Sequence, residues 1–360
     1  MGAQGTRTAQ SNPRLAQPSS VFGAGSRGNM RPMKRGVGCA VLWLLPALVA
    51  GLLVGAPDAV AAPGCVVEVR PVVLPVDGEQ ATGRVYEPRG CAGGPPDDLV
   101  VAGHGHNGSS AQYAEYLVSI AQRTATPILA MDMRGAGSAW RTGEWNIWAG
   151  WRDLVAATQW YRAEHPSITR TVLWGWSQGA ITTGLAAAHG PRGLFDYWVD
   201  TFGPAETFSY WLGPAADDRR LRAQIERDAG GCVPLLCPQA YAERSPALLA
   251  GRLGVRRAFV IHGTADPIVP YTSALEMRAA LLAAGKPTSM YTVATGRDLN
   301  GAVVPGDHSV GPVLFEGGCV VERLLLGTEP VHGGDRDYLI DVAGGTVTAP
   351  PAPPGAKCAA

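Results

Sequence analysis

Between residues 66 and 326, short runs of consecutive apolar residues alternate with longer stretches whose apolar positions recur at helical spacing. "CVVEVRPVVLP" and "ATGRVYEP" read as a leading pair of strands. "DDLVVAGHG" is a continuous apolar run, too short for a helix and closed by glycine, which predicts a strand buried on both faces of a parallel sheet. "PILAMDMRGAGS", "TRTVLWGW", "FDYWVDTFG", "RRAFVIHGTAD" and "TSMYTVAT" repeat that pattern. The intervening stretches predict helices. "SSAQYAEYLVSIAQRT" opens on Ser109 and Ser110 as caps. "NIWAGWRDLVAATQWYRAEHP" places Trp148, Trp151, Val155 and Trp160 near one face and stops at Pro166. A third helix runs to about His189, and "YTSALEMRAALLAAG" and "PVLFEGGCVVERLLLG" supply two more. Strand–helix alternation of this kind predicts an α/β fold, a mostly parallel sheet covered by helices on both faces. Ligands in such sheets bind at the carboxyl ends of the strands.

The alternation breaks twice. Residues 205–253 hold "AADDRRLRAQIERDAGG" and "CVPLLCPQAYAERSPALLAGR", a small, mainly helical insertion expected to cap the sheet edge. The core is therefore split into 62–204 and 254–328. Residues 329–360 end in "GGTVTAPPAPPGAKCAA" and predict an extended C-terminal tail. Residues 1–61 have no place in the alternation. Arg31, Lys34 and Arg35 precede the apolar run "VGCAVLWLLPALVAGLLVG", and Ala59-Val60-Ala61 follows. That order predicts a secretory signal cleaved after Ala61, with Met1, Met30 and Met33 as candidate starts. The run approaches spanning length, but Pro46, the interior glycines and the Ala-x-Ala site favour cleavage, leaving no stable membrane span.

Composition narrows the partners. The 360 residues carry 30 basic and 30 acidic side chains, so no charge excess points to nucleic acid. Cleavage would remove Cys39 and leave six cysteines: Cys65, Cys91, Cys232, Cys237, Cys319 and Cys358. An even number in an exported chain predicts disulfides and an extracytoplasmic location. Their connectivity is open, with nearness favouring Cys65–Cys91, Cys232–Cys237 and Cys319–Cys358. No Cys-x-x-Cys pair or histidine cluster predicts a metal, and no cofactor is implied.

Chemistry concentrates at the ends of the apolar runs. "TVLWGWSQGAITTG" sets Ser177 between Gly175 and Gly179 where a strand gives way to a helix. A hydroxyl on so tight a turn is presented as a nucleophile, beside the free N–H groups and positive dipole end of the helix. It needs a base, and the base needs an orienting acid. Asp266 follows "RRAFVIHGT" and His308 lies in the loop "VVPGDHSVG". Asp200, after "FDYWV", is the alternative acid. Negative charge developing on the substrate would fall to the backbone N–H groups of His106, in "VAGHGHNGSS", and Gln178. The side chains of His104 and Asn107 shape that loop or are plain turn residues. Trp176, beside the serine, is the aromatic expected to touch substrate. Trp140, Trp145, Trp148, Trp151 and Trp174 are mostly core by spacing, and Tyr210 and Trp211 are candidates for lining a pocket.

From about residue 66 to 326 the chain resembles the α/β-hydrolases. The likeness rests on "GHGHNGS", "DMRGAGS", "GWSQG", "HGTADPIVP" and "GDHS", in that order along the chain. "HGTADPIVPYTSALEMRAAL" and the place of the base resemble the prolyl oligopeptidase and dienelactone hydrolase-like branches. "GWSQGA" is similar to the elbow of cutinases and small carboxylesterases. The resemblance implies an α/β-hydrolase fold, with Ser177, Asp266 and His308 as catalytic triad in the family's chain order and His106 and Gln178 as oxyanion hole. The first expectation is a secreted hydrolase of a small-molecule or polymeric carboxylic ester, working through an acyl-enzyme. The second is a compact, exopeptidase-like serine peptidase or amidase, since no propeller-sized domain precedes the hydrolase region. The third is a non-catalytic binding protein that keeps the fold.

Overall fold

The structure, a computed structural model, describes residues 65–91, 97–134 and 144–360. The expected signal segment and Trp140 lie outside the described residues. Asp77 and Gly78 both adopt positive φ, 53° and 81°, as a two-residue hairpin between right-twisted strands requires. They join β1 (Val66–Val76) to β2 (Glu79–Arg89) antiparallel. Next along the chain come β3 (Asp98–Gly103), α1 (Ala114–Thr124), β4 (Ile128–Met131), α2 (Ile147–Glu164), β5 (Arg170–Trp176), α3 (Gln178–His189) and β6 (Tyr197–Thr201). The insertion follows with α4 (Thr207–Leu212), α5 (Arg219–Asp228) and α6 (Pro238–Ala242). β7 (Arg257–Gly263), α7 (Tyr271–Ala283), β8 (Thr288–Arg297), β9 (Val303–Pro305), α8 (Pro312–Leu325), β10 (Arg336–Asp341) and β11 (Thr346–Val347) complete the chain.

One sheet takes the order β1-β2-β4-β3-β5-β6-β7-β8-β10-β11, with β9 beside β8. From β4 across to β10 every neighbouring pair on that path is parallel. Successive side chains of a strand point to opposite faces. Leu99, Val101, Leu129, Met131 and Leu173 pack with α2, α3 and α7, whereas Val100, Ala102, Ile128, Ala130, Val172 and Trp174 pack with α1 and α8. Both faces are dry, which is why these strands read as unbroken apolar runs.

Three expectations need correction. Ser109 and Ser110 do not cap α1, which starts at Ala114 behind a left-handed Tyr113 with φ 61°. Ser109 Oγ accepts from Ala111 N at 3.2 Å, and the N–H of Ser110 donates to Asp132 Oδ1 at 2.6 Å, so both serines are spent in the preceding turn. The core face of α2 carries Ile147, Leu154, Ala157, Thr158 and Tyr161 alongside Val155. Trp148 and Trp151 sit on its flank, in contact with the His189 ring at 5.3 and 5.2 Å. The tail is not merely extended: β10 pairs parallel with β8, and β11 turns back on β10.

The cysteines pair Cys65–Cys91, Cys232–Cys237 and Cys319–Cys358, with Cα separations of 4.3, 6.1 and 5.3 Å. The second closes a loop inside the insertion. The third fastens the tail to α8, where Arg323 is buried between Glu316 (2.8 Å) and Glu329 (2.7 Å). Glu316 also accepts from Ala359 N at 3.3 Å. No helix of the described residues is long and apolar enough to cross a membrane.

Candidate active site

Ser177 stands between β5 and α3 with φ 55° and ψ −126°, a positive-φ conformation outside the allowed wells that is strained for any residue with a Cβ. The turn survives because its neighbours pack closely. A Cβ on Gly175 would overlap the Gly179 carbonyl, and one on Gly179 would overlap the Gly103 carbonyl. The glycines of the motif are thus required by contact between β3, β5 and α3, and the hydroxyl is lifted off the sheet edge.

His308 arrives from the loop between β9 and α8. Its Nε2 lies 2.9 Å from Ser177 Oγ, and its Nδ1 lies 2.7 Å from Asp266 Oδ2. With Nδ1 carrying the proton, the ring donates to the carboxylate and leaves Nε2 to accept from the serine. The three side chains form one continuous hydrogen-bonded array although 131 residues separate His308 from Ser177. The ring packs against Phe202, centroid to centroid at 4.5 Å. Phe202 itself has φ 44°, a second non-glycine strain beside the array.

Asp266 sits in the turn after β7. Its Oδ1 accepts from Ile268 N and Val269 N, both at 2.9 Å. Its Oδ2 also lies 3.4 Å from Nε2 of His262, which donates to Val269 O at 2.8 Å. Burial pushes the carboxyl's pKa up, but hydrogen bonds from His262 and His308, the charge of His308 and the Val269 N–H together hold it below the usual carboxylate range. A carboxylate so held stays ionised. Asp200 faces elsewhere. Its Oδ1 accepts from Gly203 N at 2.9 Å, and burial, against the charge of His262 and the Gly203 bond, pushes its pKa up to about 6.

The loop after β3 is braced from three sides. His104 is buried, with Nδ1 donating to Gly105 O at 2.9 Å and Nε2 accepting from Met133 N at 3.1 Å. Burial lowers its pKa against the Gly105 bond, which keeps the ring neutral. Gln112 Oε1 accepts from Gly105 N at 2.8 Å and from Trp176 Nε1 at 2.9 Å. His106 Nε2 donates to Gln224 Oε1 at 2.8 Å, and the same oxygen accepts from Trp145 N at 3.0 Å. Asn107 Nδ2 donates to His106 Nδ1 at 3.3 Å. Gln178 is the first residue of α3, where backbone N–H groups lack helical acceptors, and its side chain donates to Glu144 O at 3.1 Å.

Trp176 departs from expectation. It is 1% exposed, its indole N–H is taken by Gln112, and its ring packs on Trp174 and Tyr113. A side chain so covered supports the site from below and has no face for substrate. Trp211 is likewise turned into the insertion, donating to Glu226 Oε1 at 3.0 Å beneath the Arg222 guanidinium. Tyr210 stacks on Trp145 with centroids 5.4 Å apart.

Gln112, Phe202 and Gln224 escaped the sequence reading. His262 left a signal, a histidine inside an apolar strand four residues ahead of the acid. Gln224 lies on α5, 118 residues from the histidine it holds, and no local pattern announces such a contact.

Comparison with known proteins adds a family to this geometry. Residues 126–298 match the prolyl oligopeptidase family. Curated proteins yield no match. Among solved structures, the Pyrococcus horikoshii acylaminoacyl peptidase is similar at 17% identity and TM-score 0.55, over 73% of this chain and 41% of that one. A puromycin-hydrolyzing peptidase of Mycobacterium tuberculosis is similar at 22% identity and TM-score 0.53, over 74% and 41%. Dipeptidyl peptidase 4 of Porphyromonas gingivalis follows at 17% and 0.53, over 73% and 36%. The chain thus spans about two-fifths of the length of the structures it matches, and at these identities the likeness is one of fold. With its sheet order, its elbow and these matches, the chain has the α/β-hydrolase fold and is similar over residues 126–298 to the prolyl oligopeptidase family.

Proposed function

We propose that the protein is a serine hydrolase that cleaves acyl bonds of the peptide (amide) type, with carboxylic esters as a second class of substrate. The observation that carries this reading is the unbroken array from Ser177 through His308 to Asp266. Ser177 Oγ attacks the acyl carbon as Nε2 of His308 takes its proton. The ionised Asp266 stabilises the imidazolium that results. Backbone N–H groups of His106 and Gln178 bind the oxyanion. His308 returns the proton to the departing group, and water, activated by the same imidazole, releases the acyl group from Ser177.

The amide reading draws support from the family matched over residues 126–298 and from the similar structures, which are named as peptidases. Three disulfides support an extracytoplasmic site of action. N-acyl aminoacyl p-nitroanilides and p-nitrophenyl esters of the same acyl groups, tried on one preparation, test the reading. Turnover of both series is expected. Ester turnover with inert anilides would favour the esterase reading, and inertness towards both would remove the hydrolase proposal.

Gln224 supplies a second, smaller test. Removing its oxygen frees His106 and the Trp145 N–H together, loosening the loop that presents one oxyanion donor. Gln224→Ala is expected to lower kcat by about tenfold, the scale of the two hydrogen bonds it removes, with KM nearly constant. An unchanged kcat would mean the loop holds its shape without this contact.

A further inference from the structure

A groove of about 610 Å³ opens between the first turns of α1 and α8. Its walls are continuous in sequence with the two reactive loops. Tyr113 and Ala114 follow the loop that carries His106, and Val310 stands two residues past His308. The Tyr113 ring lies 5.4 Å from that of Trp176, the residue before the nucleophile. Leu314 and Phe315 extend the apolar lining. Its volume is that of a small-molecule site, larger than one side chain needs.

The far wall comes from the C-terminal tail. Lys357 lines the groove, and it forms no ion pair with any of the described residues. Its backbone is held in place on both sides: Tyr116 Oη donates to Lys357 O at 3.3 Å, Cys358 is bonded to Cys319, and Arg297 N donates to Ala359 O at 2.7 Å. Glu115 also lines the groove, exposed on α1.

We infer that this groove receives the leaving group of the substrate and favours a bulky apolar amine that ends in a free carboxylate. The inference rests on the hydrolase reading above. The imidazole must hand its proton to the departing atom, so that group leaves on the side of the base loop, and Val310 makes that loop the groove's near wall. Apolar lining takes an apolar side chain, and the exposed Lys357, on a backbone held in place, can bring its ammonium to an anionic end as a charge-assisted contact. Bond cleavage then releases an amino acid or short peptide from its N-terminal neighbour, with the proton from Ser177 passing through His308 to the new amine.

Three substrates sharing one N-acyl aminoacyl group test it, with leaving groups phenylalanine, phenylalanine amide and glycine. The wild type is expected to favour phenylalanine over glycine, and over phenylalanine amide, in kcat/KM. Lys357→Glu should reduce the phenylalanine/phenylalanine amide ratio by about tenfold, chiefly through KM. Val310→Trp, a change at a residue 43% exposed, should reduce the phenylalanine/glycine ratio by about tenfold by filling the mouth. Ratios unmoved in both variants, with Ser177 still labelled by a fluorophosphonate, would overturn the groove assignment alone. Failure of the wild type to take the label at Ser177 would overturn the hydrolase reading beneath it.

Discussion

Replacing Ser177 with Ala should lower kcat by about 10⁶ while leaving the protein folded. The hydroxyl is the only atom of residue 177 placed to attack, and alanine keeps the Cβ that the strained φ of 55° already accommodates. Neither the glycine contacts of the elbow nor the Ser177 N bond to Thr201 O at 3.0 Å depends on Oγ. Circular dichroism and thermal unfolding should therefore match the wild type. Turnover of a p-nitrophenyl ester or aminoacyl anilide at a wild-type rate would assign the chemistry to another residue.

The second large effect is expected at Asp266. Asp266→Asn would turn an amide N–H₂ towards the His308 Nδ1 that now donates to the carboxylate at 2.7 Å, with His262 Nε2 3.4 Å away. To avoid facing one donor with another, His308 adopts the other tautomer and its Nε2 ceases to be a base for Ser177. A loss of about 10⁴ in kcat is expected, as in the triad where this change has been measured. Asp200→Asn should stay within a few-fold of the wild type, because that carboxyl bonds Gly203 and not His308. The reverse ranking would move the orienting role to Asp200.

Stability against pH gives an independent readout of Asp266. Its folded-state pKa lies below the ordinary carboxylate value, so the ionised form contributes stability that is fully present above about pH 4. That contribution is lost as pH falls through the lower folded value. The gap in Tm between wild type and Asp266→Asn should therefore narrow in strong acid. Asp200 has the opposite sign. Its pKa is raised to about 6, so its contribution is greatest in acid and fades as pH rises through that value.

What the sequence makes legible follows the range of the forces involved. Strands β3 and β5 show as continuous apolar runs because both faces of the sheet are covered. The elbow shows because Gly175 and Gly179 are needed by backbone contact, a requirement written within five residues. Asp266 and His308 show because each falls where an apolar run ends, at the sheet edge that holds Ser177. The groups that tune the site are less visible. Gln112 and Gln224 act through single long-range hydrogen bonds that leave no periodicity. The burial of Trp176 depends on α1 and Gln112 closing over it, which its place beside the nucleophile conceals. β10 was hidden because "RDYLID" is short and three of its six residues are charged, close to the pattern of a loop.

The most direct measurement is the rate at which a fluorophosphonate modifies the native protein, with the adduct located by peptide mass spectrometry. The wild type should carry one adduct, on Ser177, and His308→Ala should slow its formation by at least about 10³, since the hydroxyl at 2.9 Å loses its proton acceptor. An adduct on Ser110 or Ser309, or equal rates in the two proteins, would contradict the activation of Ser177 by His308.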